Sequence, residues 1–304
     1  MRRFWIAPLV VSLLLAACGE GSGSSSRSSD PNAALQVVAT TTVLADFARV
    51  IGGDRVGVYG VIKPNVDAHD FEPAPADLDA MKKARVILKN GVGLETWFDD
   101  TISSSGTKAA IIDTSDGVTI RNGGAHDGRD PHIWHDPRNA KLMVTTIATN
   151  FARADPQGAG EYQKNLATYL DALDELDTEI AGQVRTLANN KLVTNHDAFG
   201  YFVARYGLDF VGSIIPSFDT SAELSASDLS DLVSAIKAQG VKAVFSERSL
   251  PAKTAKTIAR EANVKVVAGD DALYGDGLGT ASSDGGTYLT MMRHNANTIV
   301  ANLT

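Results

Sequence analysis

From residue 35 onward the chain alternates between two patterns. Short runs rich in β-branched and other apolar residues, bounded by turn formers, predict strands; longer stretches with apolar residues at i, i+3, i+4 and i+7 predict helices. In the first half, strands are expected at residues 35–39, 56–62, 86–89 and 109–112, and helices at 43–51, 75–83, 94–103 and 137–154. The second half repeats the alternation, with strands at 191–194, 209–214, 243–246 and 264–268 and helices at 199–206, 226–239, 252–262 and 287–302. Helix 226–239 has the clearest support: Leu229, Leu232, Val233 and Ile236 share one face, and Gly240 follows as a terminator.

Such alternation builds parallel sheets covered by helices. Between the halves, residues 160–189 lack proline and carry Leu166, Leu170, Leu173, Leu176 and Ile180 at helical spacing. They predict one helix of about 45 Å, long enough to cross a domain as a strut. The expected fold class is α/β: two lobes, each with a four-stranded parallel sheet flanked by helices, joined by one long rigid helix. The lobes are expected at 35–157 and 191–304, with 158–190 linking them. Ligands of open α/β sheets sit beyond the carboxyl ends of the strands, which here puts the crevice between the lobes.

The N-terminus has its own pattern. Met1-Arg2-Arg3 precedes an apolar run that ends at Ala17, too short to span a bilayer as a helix. Leu15-Ala16-Ala17-Cys18 resembles a bacterial lipobox, so residues 1–17 read as a lipoprotein signal and Cys18 as the acylated residue. The alternative is an ordinary signal with an incidental cysteine. Residues 18–34 hold Cys18 and then the Gly/Ser-rich run GEGSGSSSRSSD at 19–30, a flexible tether with a mean reach of roughly 20 Å.

Composition then removes whole classes of function. With 28 basic against 36 acidic side chains and a net charge of −8, the chain has no basic surface to displace counterions, so no nucleic-acid partner is expected. One cysteine among 304 residues excludes an intramolecular disulfide, a zinc finger and an iron–sulfur centre. Binding must use oxygen and nitrogen.

Three of the six histidines fall at predicted strand ends. His69 lies in the loop after the second strand, His132 between the fourth strand and its helix, and His196 after the first strand of the second lobe. Asp276 follows the last strand. Three imidazoles and a carboxylate, carried on separate rigid elements around one crevice, are donors for a divalent metal of borderline softness.

These segments also carry a family resemblance. DAHDFEP at 67–73, DPHIW at 130–134, TNHDAFGYF at 194–202, LYGDGLG at 273–279 and GGTYLTMMRHN at 285–295 resemble, in order and spacing, the zinc/manganese class of substrate-binding lipoproteins of bacterial ABC importers. The resemblance runs from Leu35 to the C-terminus. It implies a monomeric, non-catalytic protein outside the cytoplasm, anchored to the membrane by lipid, in the periplasm or on the outer face of the cytoplasmic membrane. A metal ion would sit between the lobes on His69, His132, His196 and Asp276, for delivery to a permease driven by a separate ATPase. Relatives selective for manganese tend to have a carboxylate where His196 stands, so three histidines favour Zn2+; Mn2+ or iron is the alternative. One departure from the zinc pattern is the stub at 123–129, where such members often carry a long His/Asp-rich loop.

Other residues admit more than one role. His135 is read as a hydrogen-bonded neighbour behind the ligands more readily than as a ligand. Glu247 could orient a ligand imidazole, substitute as a ligand, or stabilise the N-terminus of the following helix. Asp70, Glu72, Asp136 and Asp197 could fix imidazole tautomers or cap turns. His126 reads as a solvated loop residue, and Met291 and Met292, beside His294, as a packing stripe with Tyr288 and Ile299. The acids Asp171, Asp174, Glu175, Asp177 and Glu179 read as a solvated helix face. A zinc hydrolase with an open fourth position is the competing class, but neither HExxH nor GxSxG occurs. A surface adhesin is compatible with metal capture and has no direct support.

Overall fold

A computed structural model describes residues 30, 32–123 and 128–304. The expected signal, Cys18, most of the tether and His126 lie outside the described residues.

The first lobe is built on β1 (Leu35–Ala39), α1 (Thr42–Gly52), β2 (Val56–Gly60), α2 (Pro75–Lys83), β3 (Val86–Lys89), α3 (Phe98–Ser105) and β4 (Ala110–Asp113). Its strands form one parallel sheet in the order β2-β1-β3-β4, with Val37 opposite Val58 on one side and Val86 on the other. The two-residue period of β1 divides its side chains between two layers. Leu35, Val37 and Ala39 enter the main core, whereas Val38 packs with Val61, Met81, Ile87 and Phe98 under α2 and α3. A short antiparallel ribbon, β5 (Asn122–Gly123) and β6 (Gly128–Arg129), precedes α4 (Pro137–Ala154).

Helix α3 begins four residues later than the periodicity predicts. The buried Glu95 carboxylate accepts the backbone N–H groups of Asn90 and Gly91 and the Thr40 hydroxyl, which holds residues 90–97 as a loop. Gly91, Val92 and Gly93 all have positive φ there, a conformation that no helix start can include.

The linking helix, α5 (Ala159–Val184), has 26 residues, which is about 39 Å. It stops short of the expected residue 189 because its last turn tightens: Leu187 N–H bonds the Val184 carbonyl, and Asn189 turns outward to the Gly240 carbonyl. Tyr162, Leu166, Tyr169, Leu173, Leu176, Ile180 and Val184 form its buried stripe. Its acids are not simply a solvated face. Asp177 pairs with Arg205 and Tyr206, Asp174 with Lys141, and Glu179 with Arg293. Leu173→Ala in this fully buried stripe is expected to cost about 3 kcal/mol, seen as a lower urea midpoint with an unchanged slope.

The second lobe contains β7 (Lys191–His196), α6 (Gly200–Tyr206), β8 (Asp209–Ile215), α7 (Ala226–Gln239), β9 (Ala243–Phe245), α8 (Lys253–Ala262), β10 (Lys265–Val267) and α9 (Tyr288–Leu303). Its four parallel strands are bonded as two pairs, β7–β8 and β9–β10, with β7 lying beside β9. Helix α7 starts at a Ser225–Asp228 capping box and ends at the left-handed Gly240, as its sequence indicates.

The apolar core does not stop at the lobe boundary. One cluster runs from Val37 and Phe47 through Leu173 and Leu176 to Phe199, Phe245, Leu273, Tyr288 and Met292. Among the described residues no helix is long and apolar enough to cross a membrane.

Candidate metal centre

The four candidate donors converge at the carboxyl ends of the strands. His69 is on the loop between β2 and α2, His132 opens a 3-10 turn before α4, His196 is the last residue of β7, and Asp276 follows β10. Their donor atoms all lie within 4.8 Å of one another, and His132, His196 and Asp276 are buried. His132 Nε2 is 3.3 Å from His69 Nε2 and 3.2 Å from His196 Nε2. Asp276 Oδ1 is 3.7, 3.3 and 3.1 Å from the Nε2 atoms of His69, His132 and His196. Four donors around an ion at about 2.0–2.1 Å in a tetrahedron stand about 3.3 Å apart, so these separations are those of a coordination shell.

Two of the three rings are held from behind. Asp130 Oδ1 accepts both the N–H of His132, at 3.0 Å, and its Nδ1–H, at 2.9 Å. Glu247 Oε1 does the same for His196, at 3.0 Å each. Protons fixed on Nδ1 leave the Nε2 lone pairs directed at one another and at Asp276, whose oxygens accept no hydrogen bond. Positive charge at the centre, a metal ion or protons on the rings, relieves that arrangement.

The electrostatics show the same demand. Burial pushes the His132 imidazole down, but Asp130 and Asp276 outweigh it and hold the ring above its ordinary value. Burial likewise opposes charge on His196, yet Asp276 and Glu247 raise it well above the histidine range. Asp276, which burial alone would raise, is held well below the carboxylate range, chiefly by His196. Protons on the imidazoles supply the positive charge when no metal does.

Of the roles open to Glu247, the geometry is that of an acceptor orienting a ring, since α8 begins only at Lys253. His135 does not join the cluster. It is fully buried, burial pushes it down to about 3, and its neutral ring donates from Nε2 to the Gly275 carbonyl at 2.8 Å. His294 bonds Asp284 and the Ala272 carbonyl, while Met291 and Met292 are core residues. Asp136 caps α4 and pairs with Arg138, and Asp70 and Glu72 are exposed.

Sequence reasoning missed Asp130. The available signal was a repeated D-x-H: Asp67 accepts the N–H of His69 just as Asp130 accepts that of His132, an Asx turn that presents the histidine two residues on. Glycine at 275 is also dictated by the site, because a Cβ there would stand 1.9 Å from Glu247 Oε2.

Known metal-binding proteins resemble the chain over most of its length. The manganese-binding lipoprotein MntA of Halalkalibacterium halodurans is 30% identical over 97% of this chain and 96% of its own length. The iron ABC transporter substrate-binding lipoprotein MtsA of Streptococcus pyogenes is 28% identical over 94% of this chain and 93% of its own. Among solved structures, the periplasmic zinc-binding protein TroA from Treponema pallidum superposes with a TM-score of 0.81 at 28% identity, over 89% of this chain and 99% of that one. Residues 37–302 match the family described as zinc-uptake complex component A periplasmic, and the chain belongs to that family.

Proposed function

We propose that the protein captures Zn2+ between its lobes on His69, His132, His196 and Asp276. The chain is a metal-binding component of an ABC importer and not an enzyme. It works outside the cytoplasm with a permease and its ATPase, and the lipoprotein names of its relatives support a membrane anchor, for which Cys18 is the proposed attachment point.

The observation that carries the zinc reading is the donor set itself. Three imidazole nitrogens and one carboxylate oxygen at tetrahedral spacing suit zinc, whereas manganese favours more oxygen donors and higher coordination. Four protein donors also leave no position for an activated water, the requirement of the hydrolase alternative. Manganese and iron are the second reading, favoured by the names of the relatives.

Elemental analysis of the purified protein, followed by competition on the stripped protein, separates the two. One zinc per chain is expected, together with loss of Mn2+ during gel filtration. Almost any nitrogen–oxygen site prefers zinc to manganese, so the Mn2+ arm decides: manganese retained through the column would assign the protein to manganese transport.

A further inference from the structure

Asp276 follows the last strand of the second lobe, yet from Gly275 to Leu278 the hydrogen bonds of its loop lead to the first. The Gly275 carbonyl accepts from His135 Nε2 at 2.8 Å. Leu278 N–H donates to Thr42 Oγ1 at 2.8 Å, and the Leu278 carbonyl accepts from Asn65 N–H at 3.3 Å. At the far end, Tyr288 N–H donates to Asp46 and its hydroxyl to the Trp134 carbonyl. The second lobe holds the loop at its root, where Leu273 exchanges backbone bonds with Ser246 and Arg248, where Asn295 of α9 bonds both the N–H and the carbonyl of Tyr274 at 2.9 Å, and where Arg248 lies over the Tyr274 ring. Beside the metal donors, Gly275 meets Glu247 only by close packing, with no hydrogen bond between them.

His135 is the least expected member of this set. It is fully buried against Phe199, with ring centroids 4.6 Å apart, and beside Trp134. Its Nδ1 has no hydrogen-bond partner. A leucine would fill the same space without burying an unpaired acceptor. What the imidazole adds is the donor to the residue immediately before Asp276.

We propose that His135 is a positioning residue for Asp276: it fastens the loop to the first lobe, so that His69, His132 and Asp276 stand as a preformed three-donor face that His196 completes from the second lobe. The inference rests on the metal-capture reading above, and it replaces a division of two ligands per lobe with three and one. Sequence order alone assigns Asp276 to the other side.

The test compares His135→Leu, which keeps bulk and loses the donor, with His135→Gln, which keeps an N–H donor. Loss of one buried hydrogen bond is worth about tenfold, so His135→Leu is expected to release Zn2+ to a chelator about tenfold faster than wild type, with His135→Gln restoring most of the difference. In the metal-free protein, His135→Leu is expected to speed hydrogen exchange in the peptide covering 274–280 and to leave that of β1 and β3 unchanged. Equal behaviour of the two variants, or wild-type release and exchange in His135→Leu, overturns the proposal. Should His135→Leu not fold, Thr42→Val removes a different bond to the same loop and must also speed exchange there. Wild-type protein that binds no Zn2+ would instead sink the metal reading, while the exchange experiment still reports on the loop.

Discussion

His196→Ala is expected to weaken Zn2+ binding by roughly 10²–10³-fold. Structural four-donor zinc sites gain about 10–16 kcal/mol at neutral pH, so one donor carries on the order of 3–4 kcal/mol. The loss is sharpened by what remains, because His132 and Asp276 would still face each other at 3.3 Å with one less ring to share the charge. Glu247→Gln should cost less, about 10–100-fold, since the ring stays in place but loses the carboxylate that fixes its Nδ1 proton. Competition against a chelator of known affinity measures both. An alanine variant at His69, His132, His196 or Asp276 that binds as wild type would remove that residue from the site.

Affinity is also expected to fall by about 10–100-fold for each unit the pH drops below neutrality. The sign follows from the competition between metal and proton. Zn2+ binds deprotonated imidazole, and in the metal-free cleft the carboxylates Asp130, Asp276 and Glu247 hold His132 and His196 above their ordinary value. Both rings therefore begin to take up protons above the usual histidine range, and metal must displace them. The two rings repel each other when charged, which spreads the steps and sets the slope between one and two protons. Asp276 is already ionised throughout this range and contributes nothing to the slope. Calorimetry in buffers of different ionisation enthalpy should count one to two protons released per Zn2+ at pH 7. Affinity that is flat from pH 7.5 to 5 would contradict the histidine ligands outright.

Four of the five acids on α5 are exposed, as a solvated face requires, and charge pairing sets Asp177 apart from them. Asp171, Asp174, Glu175, Asp177 and Glu179 look alike along α5, yet Asp177 meets Arg205 and Glu179 meets Arg293. A run of acids records that a helix face is polar; which cation faces it depends on how α6 and α9 pack across it. The second lobe illustrates the same limit. Its four strands were legible, but their division into two bonded pairs depends on how β7 and β9 meet, which no local pattern encodes.

The sequence by itself determined the elements and the candidate donors. Two-residue and 3.6-residue periodicities are local, and so are caps such as Ser225 and Gly240, so strands and helices were readable wherever a half-buried face repeats. His69, His132, His196 and Asp276 were readable as candidate donors because each lies at or beyond the end of a strand, within a distinctive motif. Only the tertiary structure decided the long-range contacts that support them. Asp130 behind His132 is local, an Asx turn whose D-x-H signal the sequence carries, but Glu247 behind His196 joins residues 51 apart, and His135 reaches Gly275 across 140 residues. Hydrogen bonds between distant segments form only after packing has brought their partners within about 3 Å. Which segments bond the loop around Asp276 is likewise a matter of packing and not of the order of the chain.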